Sequence, residues 1–347
     1  MALSTRGKTL VGVLSVVVLA GAAFVGFRLL TKEEGEPIIP GVPILDQPTL
    51  CPLTGEEAPS DQVVERPALA IKVENIDEAR PQSGLAEADV IWEEEAEGGI
   101  TRFIAVYHCE DAARVGPVRS ARPVDPPILL LFRKPLFGYA GGVAKVEQDI
   151  AEAGVIDLNY IDAAEAYTRD PNRTAPHDLY TTTRALRREA GGRGQVPEAL
   201  FTYEEDPPER RGTRPGRQIV ADWSIATDVM WRYRSGDGLY RRFHGEEAHI
   251  LEDGSQMAVD NIVAMMVERL DTRIVDPAGN PVPNFEVVGE GDVVVFRDGR
   301  ALRGSWERPE EGEPMRLVDR RGEDIPLKPG TTWVMLYPTD AEAPLEY

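Results

Sequence analysis

Thr9 to Phe27, TLVGVLSVVVLAGAAFVGF, runs without a single charge, opens after Arg6 and Lys8, and closes before Arg28 and Lys32. As a helix rising about 1.5 Å per residue, a run of that length crosses a hydrocarbon core of about 30 Å. The competing reading, a buried core helix, needs a long uncharged N-terminal run to serve a soluble fold. Ala20-Gly21-Ala22 offers small residues for signal cleavage, but the apolar run continues beyond them, so an uncleaved anchor is the expectation. Arg6 and Lys8 favour an inside N-terminus, with Arg28 and Lys32 blunting the asymmetry. The rest of the chain is then extracytoplasmic: a cell-membrane protein with a single pass, whose folded mass lies C-terminal to the span.

The next stretch, Thr31 to Pro59, is rich in Pro, Gly and acidic residues, which oppose regular hydrogen-bonded structure, and it reads as a tether. Folded structure is expected from Arg66, where PALAIKVEN has the run of apolar residues of a buried strand. DVIWEE and TRFIAVYHC read as further strands. PPILLLFRK is a short helix with proline in its first turn, and AKVEQDIAEAG carries Val146, Ile150 and Ala153 at helical spacing before a glycine stop. TTTRALRREAGG repeats that logic, with threonine available as N-cap and Gly191 past the end.

After the loop Gly192 to Gly216 the pattern changes to short strand-like runs: VMWRYR, LYRRF, NIVAMMVE, FEVVG, DVVVFRDG, MRLVD and TWVMLYP. Asp298-Gly299 marks a hairpin turn between two of them. The expected fold class is α/β (α+β) with a mixed sheet for an N-terminal domain, plus a mostly-β C-terminal domain. The boundaries are residues 1–30 for the anchor or signal, 31–60 for the tether, 61–205 for the first domain and 206–347 for the second. At 347 residues, two domains are the default expectation.

Charge excludes one class of partner. With 38 basic and 59 acidic residues the net charge is −21, and nucleic-acid binding relies on a density of Lys and Arg that the chain lacks. The two cysteines, Cys51 and Cys109, sit in no metal-ligand spacing; either they form a disulfide in an oxidising compartment or they are two separate buried thiols. No cysteine lies in the N-terminal span to take a lipid. GxSxG, HExxH, Walker and GxGxxG motifs are all missing. His108, His177, His244 and His249 are dispersed, so neither a metal nor a cofactor is expected, and no catalytic motif decides whether the chain is an enzyme.

The arginines are more informative. Arg102 in GGITRF, Arg119 and Arg122 in GPVRSARP, and Arg169 and Arg173 in TRDPNRTAPHD all stand at strand ends or in Gly/Pro turns. A guanidinium fork matches carboxylate or phosphate in bidentate fashion, so five such residues suggest an anion-binding pocket, with Asn75, Ser120, Gly98 and Gly99 in support. The alternative is internal pairing: Glu93, Glu94, Glu95 and Glu97 precede Arg102 and could neutralise the same side chains. For proton transfer the candidates are His177, which follows an Ala-Pro turn beside Asp178, and Glu95.

ENIDEARPQSGLAEADVIWEE, EGGITRFIAVY, VGPVRSARP and TRDPNRTAPHDLY occur in that order, and together they resemble the YerB-like family of bacterial cell-envelope lipoproteins, a domain of unknown function with its own C-terminal domain. The likeness runs from PLTG at Pro52 to TTWVMLYP. It implies an extracytoplasmic, membrane-attached protein of two domains and supplies no reaction. Its motif positions are Asn75, Arg80, Pro81, Gln82, Gly84, Gly98, Gly99, Thr101, Arg102, Arg119, Ser120, Arg122, Arg169, Arg173, Pro176 and His177. Three departures stand out: an apolar span replaces the lipid-attachment cysteine, Glu74 stands where aspartate is usual, and Ala140 and Val143 stand where relatives often carry His and Ser.

Three functions remain from these observations. The chain binds an anionic group of a wall polymer; or it is an enzyme acting on a phosphate-linked envelope polymer; or it is a scaffold for a membrane-associated protein partner.

Overall fold

The computed structural model describes residues 48–347 apart from 225–226 and 277–278, so the span Thr9–Phe27 and the tether up to residue 47 lie outside the described residues. No helix among the described residues is long and apolar enough to cross a membrane. Pro48–Tyr347 form one compact unit.

The run LAIKVEN forms β1 (Leu69–Asn75), buried at every position because apolar layers cover both faces of its sheet. The same sheet holds β2 (Val90–Glu95), β3 (Thr101–Tyr107), β4 (Leu136–Tyr139) and β5 (Ile156–Asn159). β2, β3 and β1 pair antiparallel in series, whereas β4 and β5 continue the sheet in parallel. A hairpin of β6 (Tyr167–Arg169) and β7 (Leu179–Thr181) comes next. In the C-terminal half, β8 (Arg214–Pro215) precedes β9 (Gln218–Ser224), β10 (Thr227–Arg234), β11 (Leu239–His244), β12 (Glu247–Ala248) and β13 (Ala258–Val259). Then come β14 (Asn261–Val267), β15 (Arg269–Leu270), β16 (Asn284–Phe285), β17 (Gly289–Arg297), β18 (Arg300–Arg308), β19 (Arg316–Val318) and β20 (Thr332–Pro338).

The last strand joins the two halves. β20 lies between β14 and β2, parallel to both, so a single sheet runs β19-β18-β17-β14-β20-β2-β3-β1-β4-β5. A second sheet, β12-β11-β10-β9 with β13 on β11, packs across one face. Trp231 from that sheet meets Trp333 of β20 edge-on at 5.0 Å, and Trp333 meets Phe103 of β3 the same way. Each buried ring of this kind contributes about 1.5–3 kcal/mol through the area it removes from water. The opposite face takes Ile128 and Leu129 of α2 (Asp125–Leu129) and Val146 and Ile150 of α3 (Ala144–Ala153).

Local signals set the helix ends. Thr182 caps α4 (Thr183–Ala190) by accepting from the Ala185 N–H, and Gly154 and Gly191 end α3 and α4 in the left-handed conformation. Asp298 and Gly299, both at positive φ, make the tight turn between β17 and β18 that their sequence signals.

Two expectations change. The tether does not extend to Pro59: Leu53 is wholly buried, Leu50 bridges Glu57, and α1 (Asp61–Val64) precedes β1. Cys51 and Leu53 supply the apolar anchors, and Cys51 is bonded to Cys109, just past the end of β3. FEVVG is not one strand; Asn284–Phe285 pairs with β15, the Val288 N–H turns back to the Glu286 carboxylate, and β17 begins only at Gly289.

Closing a loop of 58 residues restricts the unfolded chain, so Cys51→Ser with Cys109→Ser is expected to lower unfolding free energy by about 2–4 kcal/mol in urea titrations. Asp89, beside that disulfide, accepts the His108 and Cys109 N–H groups, yet burial outweighs them and pushes its carboxyl from 3.8 up to about 7. The folded state therefore holds this proton more tightly than the unfolded chain. Its contribution is complete below about pH 4 and lost as pH rises to 7. Stability measured across that window should fall less steeply with rising pH in Asp89→Asn than in the wild type.

Candidate functional site

Adjacent residues of β1 point to opposite faces, and both faces carry buried polar side chains. On the face toward the second sheet, Glu93 of β2 is wholly buried. Its Oε1 accepts from Thr101 Oγ1 at 2.9 Å and Arg242 Nη2 at 2.6 Å, and its Oε2 accepts from Trp333 Nε1 at 2.8 Å. The chain of bonds continues from Asn75 Nδ2 to Thr101, from Gln82 Nε2 to Asn75 Oδ1, and between His249 Nε2 and Gln82 Oε1. Arg242 Nη1 then reaches His249 Nδ1 at 3.1 Å, which closes a ring of side chains. The direction of donation requires neutral His249 with its proton on Nε2. Burial and the Arg242 charge hold that imidazole well below its ordinary value, consistent with this tautomer. Asn75 and Gln82 are therefore members of the joint between the two halves.

The other face carries the arginines. GPVRSARP lies extended where β1 and β4 part: Arg119 N–H donates to the Lys72 carbonyl, and Ala140 N–H donates to the Arg119 carbonyl. Gly116 is needed here, because its φ is 152° and a Cβ would stand 2.7 Å from the Tyr180 ring. The segment also pairs with β7, since the Val118 N–H donates to the Leu179 carbonyl. That pairing brings the hairpin loop bearing His177 over β1.

Glu74 is the meeting point. Its side chain is only 1% exposed. One oxygen lies 2.8 Å from Arg119 Nε as an ion pair without hydrogen-bond alignment, and the other is hydrogen-bonded with His177 Nδ1 at 2.8 Å. Arg119 is 26% exposed and its two terminal nitrogens make no hydrogen bond among the described residues. His177 is 16% exposed, and its Nε2 likewise has no partner among the described residues. A buried carboxylate thus holds a guanidinium and an imidazole, each partly exposed and each with nitrogens that have no partner among the described residues.

The remaining candidates are engaged internally. Arg102 and Arg122 both pair with Glu97, and both donate to the Ser120 carbonyl. Gly98, at φ 71°, turns the chain so that Glu97 lies beneath them. Gly99 completes the turn at φ 76°. Burial, with the neighbouring Arg122 charge, lowers Arg102 to about 9. Lys72, wholly buried between Glu94 and Asp125, is lowered by burial to about 8. Arg169 pairs with Asp178, so Asp178 does not orient His177. Arg173 spends both terminal nitrogens on the Ala79 and Pro81 carbonyls. Glu95 pairs with Arg269 and, with Gly98, lines a separate cleft that none of Arg102, Arg119 and Arg122 reaches. Among the described residues no three His, Cys, Asp or Glu side chains gather as a metal site.

Sequence reasoning reached Arg119 and His177 but missed what joins them. The signal was available: Lys72 and Glu74 alternate with apolar residues in an otherwise buried strand, which places two charges on one interior face. Arg242 and His249 carried no such signal, because LYRRF reads as an ordinary half-exposed strand.

Fold and site define a protein of two sequence segments sharing one sheet, with a polar cluster at the carboxyl end of β1. The chain belongs to the YerB-like family: residues 53–196 match the family described as protein of unknown function (DUF3048), N-terminal domain, and residues 219–334 match its C-terminal domain. It is 27% identical over 330 residues to the "Putative lipoprotein YerB" of Bacillus subtilis (strain 168), covering 91% of this chain and 93% of that relative. The crystal structure of YerB from Bacillus subtilis superposes with a TM-score of 0.72 at 25% identity, covering 83% of this chain and 96% of that one.

Removing one end of the buried ion pair tests the joint. Glu93→Gln is expected to cost about 3–5 kcal/mol in denaturant unfolding, because Arg242 is left buried without its counter-charge. Combining it with Arg242→Met should recover part of that loss in a double-mutant cycle.

Proposed function

We propose that the protein is an extracytoplasmic envelope protein, held at the membrane by its N-terminal segment, that binds an anionic group of a wall polymer at Arg119, beside His177. The observation that supports this most is the free end of Arg119. A guanidinium ion-paired through Nε with a buried carboxylate leaves its two terminal nitrogens without a hydrogen-bond partner among the described residues, and that pair of donors matches phosphate or carboxylate in bidentate fashion. Glu74 restrains the side chain in advance, so little rotamer entropy remains to be lost on binding. The site lies where parallel β1 and β4 end, the edge of an α/β sheet at which ligands commonly settle. Membrane attachment is supported by the uncharged run Thr9–Phe27 and by the name of the Bacillus relative.

Co-sedimentation with isolated cell wall checks the reading. Arg119→Ala should lower affinity about tenfold or more, the worth of a charge-assisted bidentate pair. Arg169→Ala, whose guanidinium is paired with Asp178, should sediment as the wild type does. Undiminished retention of Arg119→Ala with unchanged melting would sink the proposal.

A further inference from the structure

We propose that the same site is catalytic: His177, held by Glu74, acts as general base in the hydrolysis of a phosphodiester whose phosphoryl oxygens are gripped by Arg119. This rests on the anion-site reading and goes beyond it, from holding a phosphate to cleaving one. Three features of the geometry carry it. Glu74 Oε2 bonds His177 Nδ1 at 2.8 Å, which fixes the ring and leaves the Nε2 lone pair facing outward. The carboxylate is buried and the imidazole partly exposed, so the pair is polarised toward the surface, as a base that must meet solvent requires. Arg119 shares the other oxygen of the same carboxylate, so the cation that would hold the phosphoryl group and the base that would act on its attacking water are positioned by one residue.

The step balances without a co-reactant. Water attacks phosphorus as His177 Nε2 takes its proton; the new O–P bond forms as the P–O bond to the leaving alcohol breaks. The imidazolium gives that proton up to solvent and the leaving oxygen, on the far side of phosphorus, takes one from solvent, so one water is consumed and one alcohol released. Arg119 neutralises charge on the non-bridging oxygens throughout, which is where catalysis of phosphoryl transfer mainly resides. Glu74 touches neither water nor phosphate and is a positioning residue. Arg102 and Arg122 are paired with Glu97 and take no part in the step.

The test uses the purified full-length chain in EDTA, which silences contaminating metal-dependent phosphatases. Calorimetry with inorganic phosphate reads binding, and release of 4-nitrophenol from bis(4-nitrophenyl) phosphate reads turnover. The wild type should do both. His177→Ala should still bind phosphate but lose turnover by about 100-fold or more, and added imidazole should restore part of the rate, which a merely structural histidine would not allow. Arg119→Ala should weaken phosphate binding and raise KM together. Phosphate binding without ester turnover would overturn the hydrolysis and leave the anion site standing, whereas failure to bind phosphate would overturn both. Full turnover in both His177→Ala and His177→Asn would also overturn the assignment.

Discussion

Glu93 sets a condition that the rest of the molecule has to meet. A carboxylate removed from water costs several kcal/mol unless its lone pairs are filled and its charge is matched. Burial raises its affinity for a proton, and the bonds from Arg242, Thr101 and Trp333 oppose that. Those partners come from β3, β11 and β20, so the charge is satisfied only once strands from both ends of the chain have assembled. The parallel pairing of β2 with β20 makes that assembly possible, and the edge-to-face rings of Trp231, Trp333 and Phe103 seal it from solvent.

The candidate site inherits its rigidity from this joint. Gln82, a member of the buried ring, also donates to the Glu74 carbonyl, so the backbone that carries Glu74 is held from below while its side chain faces the other way. One strand thus separates two uses of charge. Toward the second sheet, Glu93 has both oxygens filled and its pairing with Arg242 holds the halves together. Toward the hairpin of β6 and β7, a carboxylate of the same strand leaves two of its partners with unused hydrogen-bonding capacity. Pre-organisation of this kind is how a small surface site reaches useful affinity without a deep cavity.

Much of the fold was legible from local chemistry. The buried run of β1, the spacing of α3, the threonine cap of α4 and the Asp-Gly turn at 298–299 each state a structure within a few residues. β4 and β5 were not legible, because LFGY and IDLN are short stretches whose strand character comes from the neighbours that flank them. The end of the tether was misplaced for a related reason: Pro and Gly dominate its composition, while Cys51 is buried against a disulfide partner 58 residues away.

The choice between internal pairing and an external anion could not be made from the run of charges, since Glu93, Glu94, Glu95 and Glu97 are equally good partners for every arginine nearby. Strand alternation and the turn at Gly98 divide them: Glu93 to Arg242, Glu94 to Lys72, Glu95 to Arg269, and Glu97 to Arg102 and Arg122. The sequence by itself determined the strand and helix segments, the turn-bounded arginines and the apolar N-terminal run, because these rest on hydropathy, periodicity and backbone stereochemistry. Only the tertiary structure decided that Arg119 and His177 meet on Glu74, because that meeting depends on β7 aligning with the distant GPVRSARP segment, a pairing that no local pattern encodes.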